Sequence, residues 1–285
     1  MSTWGIVPAT GEANRRPAAH AGGLSHLPSR SDGDAGIPTV RSEYLVERMI
    51  EGGATNLCFV ISPGESNLVQ HYGDDFDGVA PLYLVQPRPA GLCDALFRAA
   101  AVIGPTDHVL MSLPDTVWYP VDGFASLPDD RLSLLLFHVT PPHHFEGVVI
   151  DGDDRVEGIA VKGANSPSPW VWGAVKMPGL IFHSLHELWL QRGAADLTVG
   201  SLVNAYVASG GQAWGVRAGL SCVAVNSTGH SGETREMLDH APAAGAPTRR
   251  SPGYTDGWRP LTAAKYVEVF PEQRIDAGVF HRLRR

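Results

Sequence analysis

The side chains that could do chemistry in this chain are few and scattered. His143-His144 follows Pro141-Pro142, and His183 and His186 stand three apart on a predicted helix. Histidine is a common metal ligand, but no cysteine or carboxylate accompanies either pair at ligand spacing. The first pair reads as a surface loop and the second as helix side chains. Cys58, Cys93 and Cys222 are odd in number and widely spaced. They predict neither a disulfide framework nor a zinc site, and a reducing cytoplasm is the default compartment. Cys222 reads as packing rather than as a nucleophile. Asp115 stands just beyond the apolar run His108–Leu113, where a carboxylate can cap the next element. Asp94 reads as a residue on a helix surface. Trp170, Trp172, Trp189 and Trp214 read mostly as core or pocket wall.

The elements that position these groups follow from hydrophobic periodicity. Trp4 to Ala9, Asn56 to Ile61, Ala80 to Val85 and His108 to Leu113 are short apolar runs that predict buried strands. Tyr44 to Gly52, Ser66 to Tyr72 and Gly91 to Ile103 predict helices between them. Residues 10 to 38, rich in Gly, Ala, Pro, Ser and Arg, predict a long loop of the kind that is usually functional or disordered. Alternating strand and helix implies a largely parallel sheet with helices on both faces. Ligands of such sheets bind beyond the carboxyl ends of the strands, so the turns after Ala9, Ile61 and Leu113 are the places to look.

The second half has more hairpin character. Ser133 to Thr140, Val148 to Ile150, the turn Asp151 to Asp154, Val156 to Val161 and Trp170 to Val175 predict antiparallel strands. Leu180 to Gln191 and Ser201 to Ala208 predict helices. The division expected is one domain over residues 1–239, a linker over 240–258 and a short appendage over 259–285.

The bulk numbers set limits. The chain has 285 residues, 44% hydrophobic and 18% charged, which suits a globular domain with a normal core. The net charge of −8 argues against a non-specific nucleic-acid binder, although a few local cations suffice for a nucleotide. No apolar stretch approaches the roughly 20 residues of a membrane helix. No basic region followed by an apolar run opens the chain, so no signal peptide is expected. A cytoplasmic protein with no membrane partner is the expectation. Arginine outnumbers lysine: of the 22 basic residues only Lys162, Lys176 and Lys265 are lysines.

One ordered set of residues carries a family resemblance. Gln86-Pro-Arg-Pro-Ala-Gly91-Leu-Cys-Asp94-Ala-Leu, then Leu113-Pro-Asp115-Thr, then Tyr119-Pro-Val-Asp-Gly-Phe124, then Val161-Lys162 and Trp170 to Val175 resemble the glucose-1-phosphate thymidylyltransferase group of the sugar nucleotidyltransferases. The resemblance runs from about Trp4 to Met237. It implies an α/β fold with a Rossmann-like, mixed, mostly parallel sheet flanked by helices, GT-A-like, carrying a smaller antiparallel sugar-binding part. It implies transfer of a nucleotidyl group from an NTP, of thymidine or uridine type, to a sugar 1-phosphate, with release of pyrophosphate and use of Mg2+. The protein's share of such chemistry is positioning and charge neutralisation. By this resemblance Asp115 is the metal carboxylate. Ala9, Thr10, Gly11, Gln86 and Gly91 contact the nucleotide, with Arg15 on the phosphates. Lys162 lies near the sugar phosphate, and Gly147 and Trp172 line the sugar pocket. A homo-oligomer is compatible with it, with no copy number implied.

The chain also departs from the family pattern. The phosphate loop reads Gly11-Glu-Ala-Asn-Arg15, with Ala13 where the family has its second glycine and with an acidic Glu12. Leu24 stands where the family has a lysine, and no lysine precedes Lys162. The region of the family's second metal aspartate reads Ser221-Cys-Val-Ala-Val-Asn226, and no aspartate lies between 197 and 238. Two other readings therefore stay open: an impaired member of the fold with a nucleotide-binding or regulatory role, and a different transfer chemistry in which residues 15 to 30, with His26, reshape the phosphate site.

Overall fold

The computed structural model describes residues 1–9, 41–64, 66–88, 90–113, 116–139, 145–160, 168–196, 198–224 and 266–268. Four apolar runs form a parallel block: β1 (Thr3–Ala9), β2 (Asn56–Ile61), β3 (Pro81–Val85) and β4 (His108–Ser112). Nearly all their residues are buried, because helices cover both faces and both sets of alternating side chains must be apolar. In the sheet β1 lies between β2 and β4, with β3 beyond β2. The chain thus winds one way from β1 to β3 and then crosses back to β4.

The second half extends the sheet through β9 (Trp170–Pro178), which runs antiparallel to β4, while β6 (Leu132–His138) and β10 (Ala213–Val216) beyond it again run with β4. β9 pairs with β4 and, on its other edge, with β6. β7 (Gly147–Ile150) and β8 (Val156–Ala160) form the predicted hairpin, and Gly147 pairs with Val171 of β9. Asp151 holds the turn between them, its Oδ1 accepting from the N–H groups of Asp153 and Arg155 at 2.8 and 2.9 Å. β10 (Ala213–Val216) pairs with β6. β5 (Thr116–Tyr119) and β11 (Ser221–Ala224) make a separate antiparallel ribbon. The backbone of β12 (Tyr266–Glu268) runs parallel to β3 at the sheet edge; the rest of 240–285 lies outside the described residues.

Each face of the sheet carries its own core. On one side α3 (Leu92–Arg98), α4 (Gly179–Gln191) and α5 (Val199–Ala208) bury Leu96, Phe97, Phe182, Leu185, Trp189, Leu202 and Val203. On the other, α1 (Arg41–Glu51) and α2 (Ser66–Tyr72) bury Leu45, Val46, Met49, Leu68 and Tyr72, beside Trp118 of the ribbon. The helix predicted over Gly91 to Ile103 is shorter than expected: it tightens to a 3-10 turn over Ala99–Ala101 ahead of Gly104-Pro105.

The join between β9 and α4 leaves no room for a side chain. Gly179 N–H donates to Asp107 O at 2.6 Å, and a Cβ there would lie 2.1 Å from Gly104 O. Backbone cannot yield as a flexible side chain can. Gly179→Ala is therefore expected to lower the unfolding free energy by about 1–3 kcal/mol in chemical denaturation.

Candidate functional site

The parallel strands β1 to β4 all end at one edge of the sheet, and the order reverses at β1. Such a reversal splays the connections apart and opens a crevice beyond the strand ends. β9 runs the opposite way, with Ala174 opposite Ser112, so its first residues reach the same edge. The edge collects Ala9, Gln86, Gly91, Gly147 and Trp172. From β3 through β2, β1 and β4 to β9 is four strand steps, about 19 Å at ~4.8 Å per step.

On the first arm Ala9 is the buried last residue of β1. Thr10, Gly11 and Arg15 follow it and lie outside the described residues, as do Asp115, Lys162 and Asn226. Gln86 follows β3, its N–H donating to Ile61 O at 2.8 Å. Its side chain is 2% exposed. Nε2 donates to Asp94 Oδ2 at 2.5 Å and to Gly91 O at 3.3 Å. Gly91 caps α3 with φ 93° and ψ 174°. Only glycine takes that conformation without strain, and it brings bare backbone to the crevice.

The sequence setting of Asp94 predicts a helix-surface residue, and the structure corrects this. Asp94 is buried, and Arg98 one turn later binds it through Nε at 3.0 Å and NH2 at 3.2 Å. Arg98 NH1 also donates to Val85 O at 3.3 Å. An i, i+4 pair of opposite charges usually marks a solvated helix face. Here it is turned against the end of β3, where burial demands that each charge be satisfied.

Between the two arms β4 meets the ribbon. Ser112 Oγ donates to Gly173 O of β9 and accepts from Trp118 Nε1 of β5 at 3.2 Å. One buried hydroxyl thus ties three strands together. Thr116 N–H donates to Leu113 O at 3.1 Å, spanning the two residues where Asp115 sits in sequence. Across the ribbon Thr116 pairs with Ala224, two residues before Asn226.

The ribbon is fastened to α1 by Arg48. This side chain is 1% exposed, donating through Nε to Trp118 O at 2.8 Å and through NH1 to Tyr44 O at 2.7 Å. The rings of Tyr44, Trp118 and Tyr119 surround its guanidinium at 5.0–5.3 Å. Burial pulls its pKa below the ordinary arginine value, and Tyr119, Glu47 and Tyr44 act in the opposite direction. NH2 has no partner among the described residues. Sequence reading passed over Arg48, which looks like an ordinary charge in an amphipathic helix.

On the second arm Gly147 is buried and Trp172 is 7% exposed. Trp172 Nε1 donates to Glu146 Oε2 at 3.0 Å. Glu146 Oε1 has no partner among the described residues. Glu146 was also missed; its only sequence signal is a charge at the mouth of the apolar strand Gly147–Ile150. Beneath it Cys93 Sγ donates to Thr198 O at 3.2 Å. Burial, with Asp196 and Glu146 adding to it, pushes the Cys93 thiol up to about 12, and burial alone does the same to Cys58. Neither forms thiolate near neutrality, so both are expected to resist a thiol reagent at pH 8 in the native protein. Fast labelling of either, mapped by mass spectrometry, contradicts the burial described.

His183 and His186 lie on α4, where the sequence predicts a helix. His183 Nε2 bonds Ile103 O at 2.8 Å, and His186 stacks on Phe97 with centroids 5.0 Å apart. His143 and His144 lie outside the described residues. Among the described residues no cluster of three metal-ligating side chains occurs, and no helix is long and apolar enough to cross a membrane.

No family model and no curated protein matches this chain. Solved structures do match. A protein from Bacillus anthracis assigned as a glucose-1-phosphate thymidylyltransferase, in complex with sucrose, aligns over 85% of this chain and 97% of its own at 18% identity, TM-score 0.67. A UDP-glucose pyrophosphorylase complexed with UDP-glucose covers 84% and 98% at 13% identity, TM-score 0.65. The inositol-1-phosphate CTP transferase from T. maritima covers 83% and 95% at 15% identity, TM-score 0.60. At these identities the likeness is one of architecture: the chain has the fold of the sugar-phosphate nucleotidyltransferases, a mostly parallel sheet with a smaller antiparallel part.

Proposed function

We propose that this protein transfers a nucleotidyl group from an NTP to a sugar 1-phosphate or a related phosphorylated metabolite. An oxygen of the acceptor phosphate attacks the α-phosphorus, the bond from that phosphorus to the bridging oxygen breaks, and pyrophosphate leaves. The observation that carries the reading is the shared edge of β1, β3, β4 and β9. It gathers Ala9, Gln86, Gly91, Gly147 and Trp172, and it is where the connections bearing Thr10, Gly11, Arg15 and Asp115 depart. In this reading Gln86 and Gly91 receive the base and Arg15 the phosphates. Lys162 meets the acceptor phosphate, and Trp172 and Gly147 wall the acceptor's ring.

Mg2+ suits the donors at hand. It binds through one or two carboxylates and completes its shell with phosphate oxygens and water. The ribbon register supports that fit, since Thr116 and Ala224 face each other and the chain continues from them to Asp115 and Asn226. Asp115 would hold the ion as the single carboxylate, with Asn226 as a neutral oxygen donor. When bound, the ion supplies neutralisation of phosphate charge. The test is pyrophosphate release from each common NTP with a panel of sugar 1-phosphates, with and without Mg2+.

The second reading, a nucleotide-binding or regulatory protein on this fold, is favoured by one feature. The chain beyond β11 offers an asparagine where a second carboxylate would complete the metal shell. Saturable NTP binding without pyrophosphate release, across the acceptor panel, decides for it.

A further inference from the structure

Gln86 carries an amide whose two ends differ, and its surroundings decide which end faces the crevice. The groups on its inner side are both acceptors: the Asp94 carboxylate at 2.5 Å and the Gly91 carbonyl at 3.3 Å. Arg98 donates to both oxygens of Asp94, at 3.0 and 3.2 Å. Only the NH2 end of the amide can satisfy two acceptors, so a flipped Gln86 would set oxygen against carboxylate. All of this is buried: Gln86 is 2% exposed, Arg98 5% and Asp94 7%. Desolvated like-polarity contacts are costly there. Gln86 Oε1 is thereby the end left over, and among the described residues nothing donates to it.

Resting on the reading that Gln86 receives the base, we infer that Asp94 is a specificity-determining positioning residue. Held by Arg98, it fixes the Gln86 amide with its oxygen toward the nucleotide. The site then selects a base whose pairing edge offers an imino N–H, as uracil and thymine do. Cytosine is disfavoured, because its ring nitrogen at that position is an acceptor.

The test is calorimetric titration of the full chain with UTP, dTTP and CTP in the presence of Mg2+, for the wild type and for Asp94→Asn. The wild type is expected to bind UTP or dTTP about tenfold more tightly than CTP, the worth of one matched hydrogen bond. In Asp94→Asn the neighbour can donate as well as accept, so Gln86 can turn over. The ratio should fall toward one, with a gain in CTP affinity that mere structural damage does not produce. Asp94→Asn combined with Arg98→Gln, which leaves no buried charge unpaired, carries the same test if the single variant does not fold. Circular dichroism establishes folding for both. Equal or better binding of CTP by the wild type overturns the inference, as does an unchanged ratio in a folded variant. Absence of binding by every NTP overturns the proposed transfer itself, and the base preference with it.

Discussion

Replacing Asp115 with alanine should lower Mg2+-dependent pyrophosphate release by at least ~10²–10³-fold, the usual cost of one preorganised electrostatic contact in a reacting site. Two features make the loss large here. The remaining candidate oxygen donor beyond the ribbon, Asn226, carries no charge, and no aspartate between 197 and 238 can take over. The phosphate loop also lacks a lysine, since the first lysine of the chain is Lys162. With so few charges around the triphosphate, the proposed site would have one carboxylate, Asp115, to hold the ion. Asp115→Asn should lose nearly as much, because it keeps the shape and removes the charge. Added Mg2+ should recover part of the activity if weakened ion binding is the cause. An Asp115→Ala enzyme within threefold of wild type at saturating Mg2+ contradicts the assignment.

Arg48→Ala is expected to cost about 3–5 kcal/mol of stability, combining a large-to-small cavity with loss of the side-chain donors to Trp118 O and Tyr44 O. Those carbonyls, Trp118 O and Tyr44 O, lie on different elements, so the loss also unfastens the ribbon from α1. The ribbon begins at Thr116, the neighbour of Asp115 in sequence, and a loosened β5 should weaken Mg2+-dependent activity as well as stability. Urea unfolding monitored at Trp118 and the other tryptophans measures the first effect. A loss below about 1 kcal/mol, the scale of a solvated side chain, contradicts the account of Arg48 as a buried fastener.

The parallel half of the fold is readable because its strands announce themselves. Asn56 to Ile61, apolar from Leu57 onward, lies between Gly52-Gly53 and Pro63-Gly64, and the strand has the boundaries that the sequence predicts. The ribbon is not readable in this way. Thr116–Tyr119 and Ser221–Ala224 are four residues each, and they pair across more than a hundred residues of chain, so no local period marks them. β10 escapes for the same reason, with Gly215 interrupting a short run. Helix α3 was read too long because Ala99–Ala101 has helical propensity while the chain there tightens before Gly104-Pro105.

The site shows the same divide. Gln86 and Gly91 stand out in an ordered motif, and the structure places them together beyond β3, with a positive φ that explains the glycine. Asp94 was misread because one turn of helix separates it from Arg98, a spacing that signals solvent far more often than burial. Arg48 and Glu146 carry no local signal, since their partners Trp118 O and Trp172 Nε1 come from distant strands. The roles of Ala9, Thr10, Gly11, Arg15, Gln86, Gly91, Asp115, Gly147, Lys162 and Trp172 are all proposals drawn from the sequence.

The measurement that bears most directly on nucleotidyl transfer is calorimetric binding of the common NTPs with and without Mg2+, paired with a pyrophosphate assay on the same preparation. The account predicts saturable, Mg2+-dependent binding of an NTP that Asp115→Ala strongly weakens, and pyrophosphate release once the matching sugar 1-phosphate is added. No NTP binding under any condition, by a protein shown to be folded, contradicts it.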